Sequence, residues 1–222
     1  MAVLEITQIP LNSDPELLKK AENTVIPKLA RIADEGAPVR NASIGSVVSE
    51  NGETLRDENR TFLLVQWPSL SDFQGFLGAP SPSFIEFQTL MKEEKLAAGE
   101  VVVKRFEVDD GEVSKFLGCE GGPGAMVEFT SIRPKSSDND AANVLNIVRR
   151  DLGTLFRGAS AVAVGESQGA DLKKEIAALG IFGCKAELER AQALPARQEL
   201  LESIISVADL SSVVARLEKR LI

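Results

Sequence analysis

The sequence predicts an α+β protein built as two tandem ferredoxin-like β-α-β-β-α-β units. Three observations carry that prediction: an internal repeat, strand-like and helix-like periodicities that alternate in the same order in each copy, and Gly or Pro interruptions at matching places. AVLEITQI at Ala2–Ile9 matches AMVEFTSI at Ala125–Ile132, with Ala, Glu, Thr and Ile at equivalent positions. ASIGSVVSENG at Ala42–Gly52 resembles ASAVAVGESQG at Ala159–Gly169, and VVVKRFEV at Val101–Val108 resembles SVVARLEK at Ser212–Lys219. The matches keep their order while the offset shrinks along the chain, as small loop deletions produce.

The first element of each copy is the β-rich segment just quoted. A helix follows: Asp14 or Ser13 caps it, Pro15 sits in its first turn, and Leu18, Ala21, Val25, Leu29 and Ile32 recur at helical spacing up to a stop at Gly36. Pro27 lies inside that run and is expected to kink it. In the second copy the stripe is Val144/Leu145, Val148, Leu152 and Leu155/Phe156, ending at Gly158. Asn51-Gly52 and Gln168-Gly169 supply turn chemistry after the second strand. The third strand is Thr61–Trp67 and, less clearly, Ile176–Phe182; broken helices follow, interrupted at Pro82 and at Pro195, and a closing strand ends each copy. Residues 1–110 are thus expected to form the first unit, 111–122 an acidic then Gly-rich linker, and 123–222 the second unit.

Right-handed crossovers place the first strand of such a unit centrally and both helices on one face of its sheet. The other face is left bare. Two copies in one chain can bury those faces against each other, which gives the duplication a physical purpose.

With these elements in place, LVQWPSLSDFQGFLGAPSPSFIEFQTLM at 64–91 resembles the third-strand-to-helix segment of the dimeric α/β-barrel superfamily, nearest its antibiotic-biosynthesis monooxygenase-like branch. Tandem single-chain versions of it are common among fungal proteins, so the resemblance implies an intramolecular barrel. Its members include cofactor-free oxygenases, polyketide cyclases, decarboxylases, isomerases and haem-degrading enzymes. The motif signals a fold rather than one reaction.

Composition narrows the chemistry. The 222 residues carry 25 Lys+Arg against 33 Asp+Glu, a net charge of −8, which disfavours nucleic acid and anionic membrane as partners. No signal peptide and no apolar run long enough to span a bilayer is evident, so a cytoplasmic location is expected, and the N-x-S/T matches at Asn41 and Asn59 read as chance. Two cysteines, Cys119 and Cys184, make neither a disulfide framework nor a zinc cage. There is no His and no Tyr. That removes Ser-His-Asp and Cys-His catalysis and His-ligated metals, and it argues against the haem-degrading and His/Tyr-dependent cyclase members. No cofactor is expected.

The repeat supplies one charged constellation. Glu5 and Glu128 match on the opening strands, and Arg105 and Arg216 match on the closing strands, which this fold makes antiparallel neighbours. Each copy is expected to pair a Glu with an Arg. If the face shared by Val3, Glu5, Thr7 and Ile9 turned into the barrel, four charges would converge near the pseudo-twofold axis. In a pocket the Arg orients a carbonyl or carboxylate and the Glu moves a proton; otherwise the pair only sets strand register. Trp67, the sole Trp, matches Phe182, while Phe62, Phe73, Phe76, Phe84 and Phe87 surround the same segment and suit either core or an apolar pocket between helix and sheet. Thr7 and Thr130 lie beside the two glutamates on the same faces. Ser43, Ser46, Glu166 and Ser167 read as solvent-facing, Cys184 as a small residue at a helix start, and CEGGPG as linker, since it lacks the Gly-Lys-Ser/Thr ending of a phosphate loop.

The expected function is a cofactor-independent cyclase or isomerase, pericyclic chemistry included, acting on a hydrophobic small molecule of secondary metabolism. Such a reaction needs a shaped cavity and a few donors rather than His or Tyr. The alternative is a non-catalytic small-molecule binder or a stress-associated structural protein, and the assembly is expected to be a monomeric pseudo-dimer or a homodimer.

Overall fold

The computed structural model describes residues 1–12, 14–55, 60–93, 96–109, 124–135, 138–167 and 175–221. Nine strands are described: β1 (Ala2–Pro10), β2 (Asn41–Glu50), β3 (Glu53–Thr54), β4 (Arg60–Trp67), β5 (Val102–Val108), β6 (Met126–Pro134), β7 (Ala161–Ser167), β8 (Ile176–Phe182) and β9 (Ala208–Arg220). The helices are α1 (Pro15–Asp34), α2 (Leu70–Gly78), α3 (Pro82–Glu93), α4 (Asp138–Leu155), α5 (Lys185–Gln192) and α6 (Pro195–Val207). The expected linker at 111–122, Cys119 and the Gln168-Gly169 turn lie outside the described residues.

Eight strands close into an antiparallel barrel in the order β2-β4-β1-β5-β7-β8-β6-β9, with β9 returning to β2; β3 is a short arm beside β2. The central place of β1 between β4 and β5, and of β6 between β8 and β9, is the one expected for the opening strands. Period-two alternation then sorts the side chains. Leu4, Ile6, Phe62, Leu64 and Phe106 meet Val127, Phe129, Leu179, Ile181 and Leu217 inside the barrel, so residues from both ends of the chain share one core. On the outer faces, Val3, Leu63, Val65 and Trp67 pack with Ala21, Ile32, Phe73 and Phe76 of the first helices, while Met126, Ala178 and Phe182 pack with Val148, Leu155, Phe156 and Ile204 of the later ones.

Two seams complete the closure, β5–β7 and β2–β9, and each needs a glycine. A Cβ on Gly45 would lie 2.1 Å from the Arg216 carbonyl oxygen, and one on Gly165 would lie 2.2 Å from that of Glu107. Gly45 stands opposite Phe62, whose strand neighbour is Gln8; Gly165 stands opposite Ala177, whose strand neighbour is Ser131. The two glycines therefore hold the same place in the two halves, and the string match that set Ala42 against Ala159 is corrected by three positions.

Local signals behave largely as expected. Asp14 Oδ1 accepts hydrogen bonds from the backbone N–H groups of Glu16 (2.8 Å) and Leu17 (3.2 Å), so Asp14 caps α1. Asn51 and Gly52 both have positive φ, 51° and 82°, the requirement of the two-residue turn that joins β2 to β3. Gly36 and Gly158 end their helices at φ 88° and 86°. Helix α1 runs through Pro27 as one element, whereas α4 carries the non-helical residue, Asp151 at φ −105° and ψ 15°.

Candidate functional site

Between the outer face of β1, β4 and β5 and the helices α1 to α3 lies a cavity of about 600 Å³. Its position follows from the chain. Ser69 caps α2 by accepting from the Asp72 N–H at 3.1 Å, and the break at Ala79–Ser81 turns α3 away from α2. Glu35, just past α1, then accepts hydrogen bonds from the backbone N–H of Ser83 (2.9 Å) and from its hydroxyl (2.5 Å), which tethers the start of α3. Those two hydrogen bonds hold the Glu35 carboxyl below its usual range. Lys28 of α1 also pairs with Glu86 of α3. The gap left between sheet and helices is the cavity.

Its wall is aromatic and aliphatic. Trp67 packs edge-on to Phe73 and tilted against Phe76, each at 5.2 Å between ring centres; Phe76 meets Phe84 at 5.0 Å, and Phe87 stacks beyond at 6.3 Å. Trp67, Phe76, Phe84 and Phe87 line the cavity with Met91, Leu63 and Val65, and Phe73 stands behind Trp67. Phe62 does not belong to the group: odd and even positions of β4 face opposite ways, and Phe62 points into the barrel.

The polar groups of this cavity are few and placed by strand register. Glu5 lies directly opposite Arg105, and Arg105 Nε donates to Glu5 Oε2 at 2.8 Å, as the antiparallel arrangement predicts. Thr7 Oγ1 donates to Glu5 Oε1 at 3.4 Å, and the Arg105 guanidinium sits 4.3 Å from the Phe73 ring centre. The Trp67 indole N–H is buried without a hydrogen-bond partner among the described residues.

The second half departs from expectation at the matching place. Glu128 stands opposite Val214, and Arg216 stands opposite Met126, so the string match that set Arg216 against Arg105 is two residues out of register. The buried counter-ion of Glu128 is Arg197 of α6, whose Nη2 donates to Oε1 at 2.6 Å and whose Nη1 donates to the Leu155 carbonyl at 2.5 Å. Arg216 instead approaches Glu218 at 3.8 Å. Glu5 and Glu128 both share the outer, helix-facing side of the sheet, with Val3 and Met126 respectively, so the four charges do not converge inside the barrel. Thr130 and Phe182 are buried and line neither the cavity beside Trp67 nor the one beside Glu128. The reason is Gly180, the counterpart of Val65: a Cβ there would lie 2.6 Å from the Phe156 ring, which fills the room left open in the first half.

Sequence reasoning missed two charged groups. Arg197 stands three, four and seven residues before Leu200, Leu201 and Ile204, so a cation interrupts the apolar stripe of α6. Lys104 alternates with Phe106 and Val108 and therefore points into the barrel, where Nζ reaches Glu175 Oε1 at 2.5 Å and Ser131 Oγ at 3.1 Å. Burial pushes the Glu175 carboxyl up, but hydrogen bonds from Lys104 and Ser131 outweigh it and leave the pKa below the ordinary value. No group of three or more Asp, Glu or Cys among the described residues is arranged to hold a metal ion, and no described helix is long and apolar enough to cross a membrane. Cys184, at the start of α5, is exposed.

No family model matches the chain, and no curated protein matches it in sequence. Solved structures do. A candidate monooxygenase from Fusobacterium nucleatum has TM-score 0.70 at 9% identity, with 99% of this chain and 93% of the other covered. An anthrone oxidase-like protein has TM-score 0.63 at 16% identity, covering 99% and 92%. A candidate monooxygenase from Lactobacillus acidophilus has TM-score 0.60 at 8% identity, covering 99% and 95%. At such identities the likeness is one of architecture: the chain has the dimeric α/β-barrel fold.

Proposed function

We propose that the cavity of the first half binds a hydrophobic, ring-bearing small molecule with a carbonyl or phenol oxygen, and that the chain converts it without a cofactor by cyclisation or isomerisation. The observation that carries this reading is the pairing of an aromatic cavity of about 600 Å³ with one engaged Glu5–Arg105 pair and one unsatisfied indole N–H at Trp67. Ligand pockets typically span roughly 300–1,000 Å³ and are apolar with a few placed polar groups.

In this reading a substrate oxygen accepts from the Trp67 N–H as the surrounding rings give way. Arg105, held by Glu5 and by the Phe73 face, stabilises negative charge growing on that oxygen, and Glu5 moves a proton at the neighbouring carbon. The aromatic wall holds the folded conformer, the larger part of the work in a ring closure. Residues 1–110 and 123–222 act as tandem units of the fungal single-chain type, the first catalytic and the second with Phe156 in the place of the aromatic cavity. Secondary metabolism supplies substrates of this class, and the cytoplasm is the proposed location. A non-catalytic carrier remains the second reading, because the same cavity binds equally well without Glu5 acting.

The fluorescence of Trp67, the only Trp, reports occupancy directly. Xanthone, a fused-ring ketone, is expected to quench it and to bind about tenfold more tightly than the oxygen-free hydrocarbon of the same size. Equal binding of the two removes the role given to the Trp67 N–H. Native mass spectrometry against a metabolite extract then identifies the physiological ligand. A product of unchanged mass supports cyclisation or isomerisation, a product heavier by oxygen overturns it in favour of oxygenation, and an unaltered ligand favours the carrier.

A further inference from the structure

We infer that the second half carries a separate binding site, for a neutral hydroxyl-bearing small molecule, at Glu128. A cavity of about 780 Å³ opens between the β2–β3 turn, β6, β9 and the helices α5 and α6. Glu128 is 2% exposed and lines it. Its Oε1 accepts from Arg197 at 2.6 Å and from the Gln192 amide at 3.2 Å, but Oε2 is buried with no hydrogen-bond partner among the described residues. A buried carboxylate oxygen left unpaired is costly, and the cavity beside it is where a donor can be supplied.

Charge decides which donor. Arg197 already neutralises Glu128, and the cations at the rim are matched: Lys185 lies 3.5 Å from Glu189, and Arg216 lies 3.8 Å from Glu218. A ligand ammonium would bring a second cation beside Arg197 with nothing to compensate it. A hydroxyl donates to Oε2 and leaves the balance intact. The two glutamates at the same place in the two halves thus differ in function. Both oxygens of Glu5 are engaged within the protein, whereas one buried oxygen of Glu128, beside the cavity, has no partner among the described residues. Gln192, half-exposed, holds the longer of the two bonds to the carboxylate, and it is the side chain that turns aside to admit the ligand.

The test uses the intact chain, isotope-labelled, with the Gln192 side-chain amide and the Arg197 Nε–H followed by NMR. The probes are trans-cyclohexane-1,2-diol, its dimethyl ether and trans-1,2-diaminocyclohexane. The diol is expected to shift both signals and to bind about tenfold more tightly than the ether, which keeps the frame and loses the donor. Gln192→Ala, which clears the approach at the loss of the 3.2 Å bond to Glu128 and keeps the 2.6 Å bond from Arg197, is expected to tighten diol binding. Equal affinity of diol and ether, or no shift with either, overturns the site. Tighter binding of the diamine overturns the assignment to a neutral ligand.

Discussion

The aromatic cavity beside Val65 in the first half has no counterpart over Gly180 in the second, where Phe156 takes its place, and that contact can be tested by exchange. Phe156 is 2% exposed, and truncating a buried Phe to Ala costs about 3–5 kcal/mol. Gly180→Val installs the residue that Val65 provides in the first half, but its Cβ would lie 2.6 Å from one ring carbon and 2.7 Å from another, where ordinary contact begins near 3.4 Å. Overpacking of that kind costs about 1–3 kcal/mol, because a ring enclosed by Leu152, Leu155 and Phe182 has little space to move. The double variant behaves differently, since valine occupies part of the space the ring vacates. Its loss is expected to fall short of the sum of the single losses by about 1–3 kcal/mol. Urea unfolding of the four proteins measures this, and melting reports it as about 2–4 °C per kcal/mol for a chain of this size. Xanthone titration of the double variant is expected to show a second apolar site. Strict additivity of the two substitutions, or a Gly180→Val protein as stable as the parent, would refute the claim that Phe156 fills the space over Gly180.

Arg197→Met strands the buried Glu128 charge and is expected to cost about 3–5 kcal/mol, whereas Arg197→Met with Glu128→Leu is expected to recover most of it; urea unfolding separates the two. Glu35 and Glu175 both have folded-state pKa values below their ordinary ones. Each therefore contributes stability that is complete above the unfolded-state value near 4.5 and disappears as pH falls through the lower folded value. Unfolding measured from pH 7 down to pH 2 should show that acid limb, and Lys104→Met, which removes the main partner of Glu175, should make it shallower. Trp67→Phe keeps an aromatic ring and deletes the N–H and the fluorophore; xanthone affinity, read by calorimetry, is expected to drop about tenfold while the melting point moves by only a few degrees.

Much of the fold was legible because it rests on local chemistry that short windows contain. Asn51-Gly52 announces a turn needing two positive φ values, Gly36 and Gly158 announce helix ends, and the alternation in Ala2–Ile9 announces a strand with two faces. The β4-β1-β5 neighbourhood, and with it the Glu5–Arg105 pair, followed from crossover handedness. What string matching did not carry was register. Gly45 and Gly165 are equivalent because each lets a neighbouring carbonyl approach within 2.2 Å of where a Cβ would stand, a constraint imposed by a strand distant in sequence. Arg216 was misaligned for a related reason: β9 spans 13 residues and β5 spans 7, so equal letters in the two closing strands do not mean equal partners.

The candidate site divides along the same line. The aromatic wall around Trp67 was readable because its rings crowd one segment of 67–87 and the Pro82 break leaves room beside them. Which face Glu5 occupies was not readable, because an alternating strand buried on both sides has no polar face to mark the outside. Β1 is such a strand: Leu4 and Ile6 fill the barrel while Val3 and Ile9 pack outward, and all are at most 1% exposed. The chemistry of the second half was hidden for a different reason. A glutamate repeated on the opening strand suggests a repeated role, yet the role is set by its counter-ion. In one half the counter-ion comes from the adjacent strand at an exposed cavity edge, and in the other from a helix Arg buried beneath it. Those two sources lie about a hundred residues and about seventy residues away along the chain, so no window around the glutamate contains them. The string matches therefore overstate the likeness of the two glutamates' surroundings, and the charged residue that breaks an apolar helical stripe, Arg197, is the better pointer to where those surroundings diverge.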